Sequence, residues 1–347
     1  MTKFRMAVLT LFCLTITSMS YSQTKQTIQN KVNSKKMDTV NSIINERVTF
    51  NNNGITMVGI LHYHEHMDRT KKYPAIVCTH AAGMVKEQAS GLYAQKLSEQ
   101  GFITLSFDAS HQGESGGEPR FLEAPAERVE DIKSAVDYLT TLPFVDAEKI
   151  GAFGICAGSG YSIQAATTDH RIKVVVGTSG TDAGAAIREG WLGNQPASAQ
   201  LQILDMVSKE RTAVANGATP TYGNYVPEGT DPNAPVTMNE AYEYYRTPRC
   251  QKPNSQNKVL LLSLDKVMAF DAFKNMETLL TQPLLMVVGS KSDAMYLTDR
   301  AIDKATSSVA KEKFVVEGAT HVDLYDKQPY VDQAVTKMAE FYKVNLK

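Results

Sequence analysis

The sequence predicts an α/β fold: a mostly parallel eight-stranded sheet flanked by helices, with a mostly helical insertion. Three observations predict it. Short apolar runs alternate with stretches of helical periodicity, which is the pattern of strands joined by crossover helices. One such run, Lys149-Ile150-Gly151-Ala152-Phe153, leads into Gly154-Ile155-Cys156-Ala157-Gly158 and then into Ser159 to Ala166, so strand, tight glycine turn and helix follow directly. The alternation then lapses from Ala183 to about Asn275 and resumes afterwards.

Composition sets bounds. The chain has 347 residues, 43% hydrophobic and 21% charged, with a net charge of −1. That is an ordinary globular composition, and near-neutral charge gives no argument for nucleic acid or an anionic membrane surface as partner. The first 22 residues read as a signal peptide: Lys3 and Arg5 precede the apolar run Met6 to Ile16, and Ser20-Tyr21-Ser22 is a small-x-small site. The mature protein is therefore expected to be periplasmic or secreted. Residues 23–45, rich in Lys, Gln, Asn, Ser and Thr, are expected to form a flexible leader. Of the four cysteines, Cys13 leaves with the signal, and Cys78, Cys156 and Cys250 remain, an odd number that is no disulfide framework.

The core begins at about residue 46. Val48 and Phe50 alternate with polar residues up to Asn53-Gly54, and Ile55 to Leu61 follows, which predicts a hairpin at one sheet edge. Pro74 to Thr79 is an apolar strand, Ala89 to Gln100 a helix stopped by Gly101, and Phe102 to Phe107 the fourth strand. A polar loop, Asp108 to Arg120, precedes a helix with Val129, Ile132, Val136 and Leu139 on one face. The elbow strand and helix come next, then Ile172 to Val176. The core is thus read as 46–182 and 276–347, with a cap over 183–275 that carries Trp191, Tyr222, Tyr225, Tyr242, Tyr244 and Tyr245. Pro283 to Val288 and Phe314 to Val316 complete the strands, and a final helix places Val331, Val335, Met338 and Phe341 on one face.

Strand, G-x-nucleophile-x-G turn and helix form the nucleophile elbow of α/β hydrolases, here with cysteine in the middle. The glycines leave room for so tight a turn. The helix that follows points its positive end at the thiol and should favour the reactive thiolate. The other reading is a buried cysteine in a glycine-rich turn. In this fold the order is nucleophile, acid, histidine. His321, in Gly318-Ala319-Thr320-His321 after the last strand, is the histidine beyond the cap and the candidate base. Asp293, after the seventh strand, is the candidate acid; Asp182, after the sixth, is its rival. The oxyanion donors are expected to be the N–H groups of Ala157 and Ala82. His80 is read as structural. Two decoys compete. Gly113-Glu114-Ser115-Gly116-Gly117 also fits G-x-S-x-G but lacks strand and helix, and His62, His64 and His66 could hold a metal but read better as a solvated strand end. Ser159 is a weak candidate within the helix. No cofactor and no metal are expected. The oligomeric state is not legible in the sequence.

Several strings together resemble a bacterial branch of the dienelactone-hydrolase-like α/β hydrolases: Lys86-Glu87-Gln88, Phe107 to Arg120, Gly154 to Gly158, and Gly318 to Tyr325. The resemblance runs from about Glu46 to Tyr342. It implies Cys156 as nucleophile and His321 as base. Where a His-Pro-Gly-Gly-like run is expected, this chain has His80-Ala81-Ala82-Gly83. The signal peptide and cap also separate it from cytoplasmic dienelactone hydrolases, so dienelactone does not carry over as substrate. A fungal set with a related core is linked to polyketide acyl transfer, so water need not be the acceptor. The function expected is hydrolysis of a small-molecule carboxylic ester or thioester through a Cys-His-Asp triad. The alternatives are acyl transfer to an alcohol or amine, and a non-catalytic binding protein on the same fold. The cap aromatics are read as lining a partly apolar pocket or as cap core.

Overall fold

The computed structural model describes residues 42–346. The expected signal peptide, and the leader up to residue 41, lie outside the described residues. From Ile43 the chain is already paired in a strand, a few residues before the expected start of the core.

One eight-stranded sheet organises the chain. Its strands are β1 (Ile43–Asn52), β2 (Ile55–His64), β3 (Tyr73–Thr79), β4 (Ile103–Phe107), β5 (Val145–Ile155), β6 (Ile172–Thr178), β7 (Leu284–Gly289) and β8 (Lys311–Val316). They lie in the order β1-β2-β4-β3-β5-β6-β7-β8. The hairpin β1–β2 is antiparallel and forms one edge, and β2 is antiparallel to β4. All other neighbours run parallel. The hairpin turn is the predicted Asn53-Gly54, with φ of 48° and 90°, the positive values that a tight two-residue turn requires.

Helices cover the sheet: α1 (Ala89–Ser98), α2 (Pro125–Thr141) and α3 (Ala157–Thr168) connect the parallel strands of the first part. Between β6 and β7 lie α4 (Ala183–Glu189), α5 (Ala197–Ala215), α6 (Val236–Arg246), α7 (Leu264–Ala269) and α8 (Met276–Leu279), with a two-residue ladder joining Tyr222–Gly223 to Val259–Leu260. The fold closes with α9 (Met295–Lys304), α10 (Asp323–Asp326) and α11 (Tyr330–Asn345). The predicted face of α11 is the buried one: Val331, Val335, Met338 and Phe341 pack on the sheet.

Central strands buried on both faces read as continuous apolar runs because no side chain reaches water. β4 and β7 are buried along their whole length. β5 is buried from Ile150 to Ile155 and sits between β3 and β6, so its carboxyl end opens in the middle of the sheet. This is where neighbouring loops converge and where sites form in such sheets.

The helices between β6 and β7 differ from the rest. In α5 only Val207 is fully buried, while Leu201 and Met206 are exposed. α6 buries Tyr244 and Tyr245 against the core side, and the Tyr245 hydroxyl donates to the Ala82 carbonyl at 2.9 Å. Ser255 donates to the Gly83 carbonyl at 2.7 Å. The insertion therefore grips the loop after β3.

Candidate active site

Cys156 stands between β5 and α3 with φ 53° and ψ −123°. A non-glycine residue with positive φ is uncommon, and the strain persists only where the surroundings hold it. Here they do. The Cys156 N–H donates to the Thr178 carbonyl, and the Cys156 carbonyl accepts from Thr181 and Ser159. A Cβ on Gly154 would sit 2.1 Å from the Gly158 carbonyl oxygen, and one on Gly158 would sit 2.5 Å from that of Thr79. Both framing glycines are therefore steric requirements of the turn.

The side chain of Cys156 is packed round by protein yet opens on a cavity of about 300 Å³. Ala82 and Ala157 line the same cavity, together with Trp191, Tyr225 and Ile187 from the insertion. Both expected oxyanion donors thus border the space in front of the sulfur. The Ala157 N–H is directed at the sulfur, and Thr181 Oγ1 lies 3.6 Å from it. Burial nevertheless pushes the Cys156 thiol up, against the contrary pull of Tyr325, Thr181 and the Ala157 N–H. The helix-end N–H of Ala157 acts in the expected direction, favouring the thiolate, but it is the smaller effect. Desolvation outweighs the helix end, and the resting group is a thiol.

His321 follows β8 and is 1% exposed. Burial drives its pKa down to about 4, with Asp293 pulling the other way, so the resting ring is neutral. Its Nε2 is 3.1 Å from the Tyr325 hydroxyl, and its edge meets the Trp191 ring at a centroid distance of 5.0 Å. Ser179, at the end of β6, donates to the His321 carbonyl at 2.8 Å and fixes that backbone.

Asp293 is close enough to act on the His321 charge, but its oxygens are held by the insertion. The Trp191 indole donates at 2.9 Å, the Thr237 N–H at 3.0 Å and the Thr237 hydroxyl at 2.5 Å. Thr237 lies in the first turn of α6, where free N–H groups favour a carboxylate. Asp182 is engaged otherwise. It caps α4 by accepting from the Gly184 N–H at 2.9 Å and lies 3.6 Å from Arg188.

The decoys are also placed. Ser115 is 2% exposed; its hydroxyl donates to the Asp108 carbonyl at 2.6 Å and accepts the Val58 N–H at 2.9 Å. Its loop is pinned by Lys86, which pairs with Asp108 at 2.8 Å and Glu114 at 2.5 Å. His62 is buried, with ring nitrogens on Asn45 at 2.7 Å and Ser106 at 3.1 Å. His64 and His66 lie at the hairpin end, His66 exposed. Ser159 is buried within α3. His80 accepts the Ala109 N–H at Nε2 and donates from Nδ1 to the Ala81 carbonyl, so it braces the loop after β3. The cap aromatics divide: Trp191 and Tyr225 line the cavity, Tyr244 and Tyr245 are core, and Tyr222 is exposed.

Sequence reasoning missed Thr237 and Tyr325 at this site and read Trp191 only as a cap aromatic. Trp191 and Thr237 hold Asp293, and Tyr325 stands beside both Cys156 and His321. Tyr325 lies four residues after His321, on the short helix α10 that begins at Asp323, so the turn between them brings the two side chains together. Trp191 and Thr237 carry no local signal, since each meets Asp293 only through tertiary packing.

Comparison with known proteins gives a consistent result. The dienelactone hydrolase family model matches residues 61–206. Uncharacterized protein YcjY of Escherichia coli is 41% identical over 309 residues, covering 88% of this chain and 100% of that protein. The solved structure of hypothetical protein PA2218 from Pseudomonas aeruginosa superposes with a TM-score of 0.81 at 32% identity, over 87% of this chain and 94% of that one. A protein of Eupenicillium brefeldianum named thiohydrolase is 26% identical over 271 residues, 74% of this chain and 85% of its own, and another fungal relative is named an acyltransferase. With a mostly parallel sheet, an elbow turn and these relatives, the chain belongs to the dienelactone hydrolase family of α/β hydrolases.

Proposed function

We propose that this hydrolase cleaves a small-molecule carboxylic ester or thioester through Cys156, His321 and Asp293. The observation that carries the reading is the strained Cys156 at the mouth of a cavity shared with Ala82 and Ala157. Thiol and imidazole both rest neutral, so the proton leaves sulfur as the sulfur attacks the carbonyl carbon. His321 receives it and Asp293 stabilises the imidazolium. The Ala157 and Ala82 N–H groups take the developing oxyanion. The tetrahedral intermediate collapses, His321 returns the proton to the leaving alcohol or thiol, and an acyl thioester remains on Cys156. Water then attacks with His321 as base, releasing the acid and restoring the thiol.

Replacing Cys156 by Ala tests this with p-nitrophenyl esters and acyl thioesters. The expected loss in kcat/KM is at least about 10³-fold, the scale on which removing a nucleophile acts. Wild-type turnover in that variant would remove Cys156 from the role.

Acyl transfer to an alcohol or amine is the second reading. A fungal relative is named an acyltransferase, and a thioester intermediate can pass its acyl group to an acceptor other than water. Product analysis with added acceptors separates the two outcomes.

A further inference from the structure

The cavity in front of Cys156 has two kinds of wall, and each restricts what can enter. The insertion supplies the first. On α4, Ala183, Ala186 and Ile187 border the cavity, a spacing of three and four residues that sets them on one helix face. On α7, Leu264 and Val267 do the same, and Met238 of α6 adds a flexible apolar group. None of these side chains can hydrogen-bond well, so a polar ligand group placed among them would lose its water without replacement. The core supplies the second kind, Glu123, which is 2% exposed. Its Oε1 accepts from the Tyr161 hydroxyl at 2.8 Å and from Arg128 at 3.1 Å, and its Oε2 accepts from the Tyr225 hydroxyl at 2.9 Å and from Arg128 at 3.2 Å. The carboxylate is therefore saturated and offers a ligand negative charge but no free partner. Arg128 neutralises it from outside the lining, and among the described residues no Lys or Arg borders the cavity. Two further polar side chains do: Thr181, 3.6 Å from the sulfur, and Asn224, which is exposed and donates to Glu228 at 3.1 Å.

At about 30 Å³ for each water-sized group, a cavity of about 300 Å³ holds roughly ten non-hydrogen atoms. We propose that this cavity is an acyl pocket that takes a neutral, apolar acyl group of about six to eight carbons and rejects acyl groups that carry a carboxylate. This deepens the proposed hydrolysis and rests on Cys156 acting as nucleophile. The acyl carbonyl meets the sulfur beside Ala157 and Ala82, and the chain lies along the apolar faces of α4 and α7. A chain of that length exchanges water for apolar contact over its whole surface, which is the favourable term for binding. A longer chain outgrows the space and leaves its end in water. A terminal carboxylate would be stripped of water near Glu123, with no cation in the lining to receive it.

The test is kcat/KM over the p-nitrophenyl esters of acetate, butyrate, hexanoate, octanoate and laurate, and over the p-nitrophenyl monoester of glutarate, whose chain is close in length to hexanoate. Wild type, Ala186→Leu, Ile187→Ala and Cys156→Ala are compared, with thermal melts to verify folding. The wild type is expected to peak at hexanoate or octanoate, and to turn over the glutarate ester about 10²-fold more slowly than hexanoate, the scale on which a like charge set against a buried one acts. Leucine at 186 narrows the pocket and should lower the octanoate-to-butyrate ratio about tenfold, while alanine at 187 enlarges it and should raise the laurate-to-hexanoate ratio by a similar factor. A wild-type profile that is flat or highest at acetate overturns the acyl pocket. So does a glutarate rate within about tenfold of hexanoate, or a chain-length ratio that stays put in whichever of the two pocket variants folds. Cys156→Ala separates this inference from the reading beneath it. If that variant loses turnover while the wild-type profile is flat, the pocket falls and the nucleophile stands; if it retains turnover, the nucleophile falls and the pocket with it.

Discussion

Two turns in this molecule fit the same five-residue pattern, Gly113 to Gly117 and Gly154 to Gly158, and they end in opposite states. In the first, Ser115 is sealed in, its hydroxyl saturated by the Asp108 carbonyl and the Val58 N–H. In the second, Cys156 is driven into positive φ at the carboxyl end of a central strand and opens on a cavity. The pattern itself does not separate them; their flanks do. A buried strand before and a helix after force the second turn to be sharp, and backbone oxygens within 2.5 Å of each missing Cβ make its glycines irreplaceable. The first is stitched to the hairpin and to Lys86 as a loop and never needs to present a side chain.

Single substitutions at Cys156 and Ser115 separate the two turns most directly. Cys156→Ala is expected to abolish ester turnover, whereas Ser115→Ala should leave kcat/KM within about threefold and lower stability by about 1–3 kcal/mol, because the buried Val58 N–H loses its acceptor. Urea melts and p-nitrophenyl ester assays on both variants read this. If the serine variant loses activity while keeping its melt, the assignment of the two turns is reversed.

The glycines give the next contrast. A Cβ at Gly158 would meet the Thr79 and His80 carbonyl oxygens at 2.5 and 2.6 Å, so Gly158→Ala should cost more than about 3 kcal/mol or fail to yield folded protein. At Gly116 the nearest atoms are 3.5 Å away, an ordinary contact, so Gly116→Ala should change stability by no more than about 1 kcal/mol. Equal melting shifts for the two would show that the elbow is not the tighter turn.

A further contrast is read by pH. The folded chain holds His321 and His62 at about 4 instead of 6.5, so the folded state binds fewer protons across that window. Stability should therefore rise with pH through it and be lost as pH falls from 6.5 towards 4. Between pH 7 and pH 5 each ring contributes a loss of about 2 kcal/mol. Urea unfolding at the two pH values checks this, and His62→Asn should remove roughly half of the drop while leaving the elbow intact. A flat profile would mean that the two rings are not buried as neutral groups.

The fold was legible because its determinants are local. The hairpin follows from Asn53-Gly54, the central strands from unbroken apolar runs, and the elbow from two glycines between a strand and a helix. Chain order made His321 the candidate base before any geometry was known. What each group does to the next was not legible. Asp293 and Asp182 look alike in sequence, each in a loop after a strand. Asp182 caps a helix through the Gly184 N–H two residues on, whereas only packing sets Trp191 and Thr237, more than fifty residues away along the chain, on Asp293. The charge state at the elbow was decided by tertiary burial too. A helix end argues for thiolate, but desolvation depends on everything folded around the sulfur, and it favours the neutral thiol at Cys156 and the neutral imidazole at His321. Sequence determined where the reactive group stands, because a turn is made by its neighbours in the chain; the tertiary structure decided its protonation and its partners, because water exclusion and side-chain reach are properties of the packed whole.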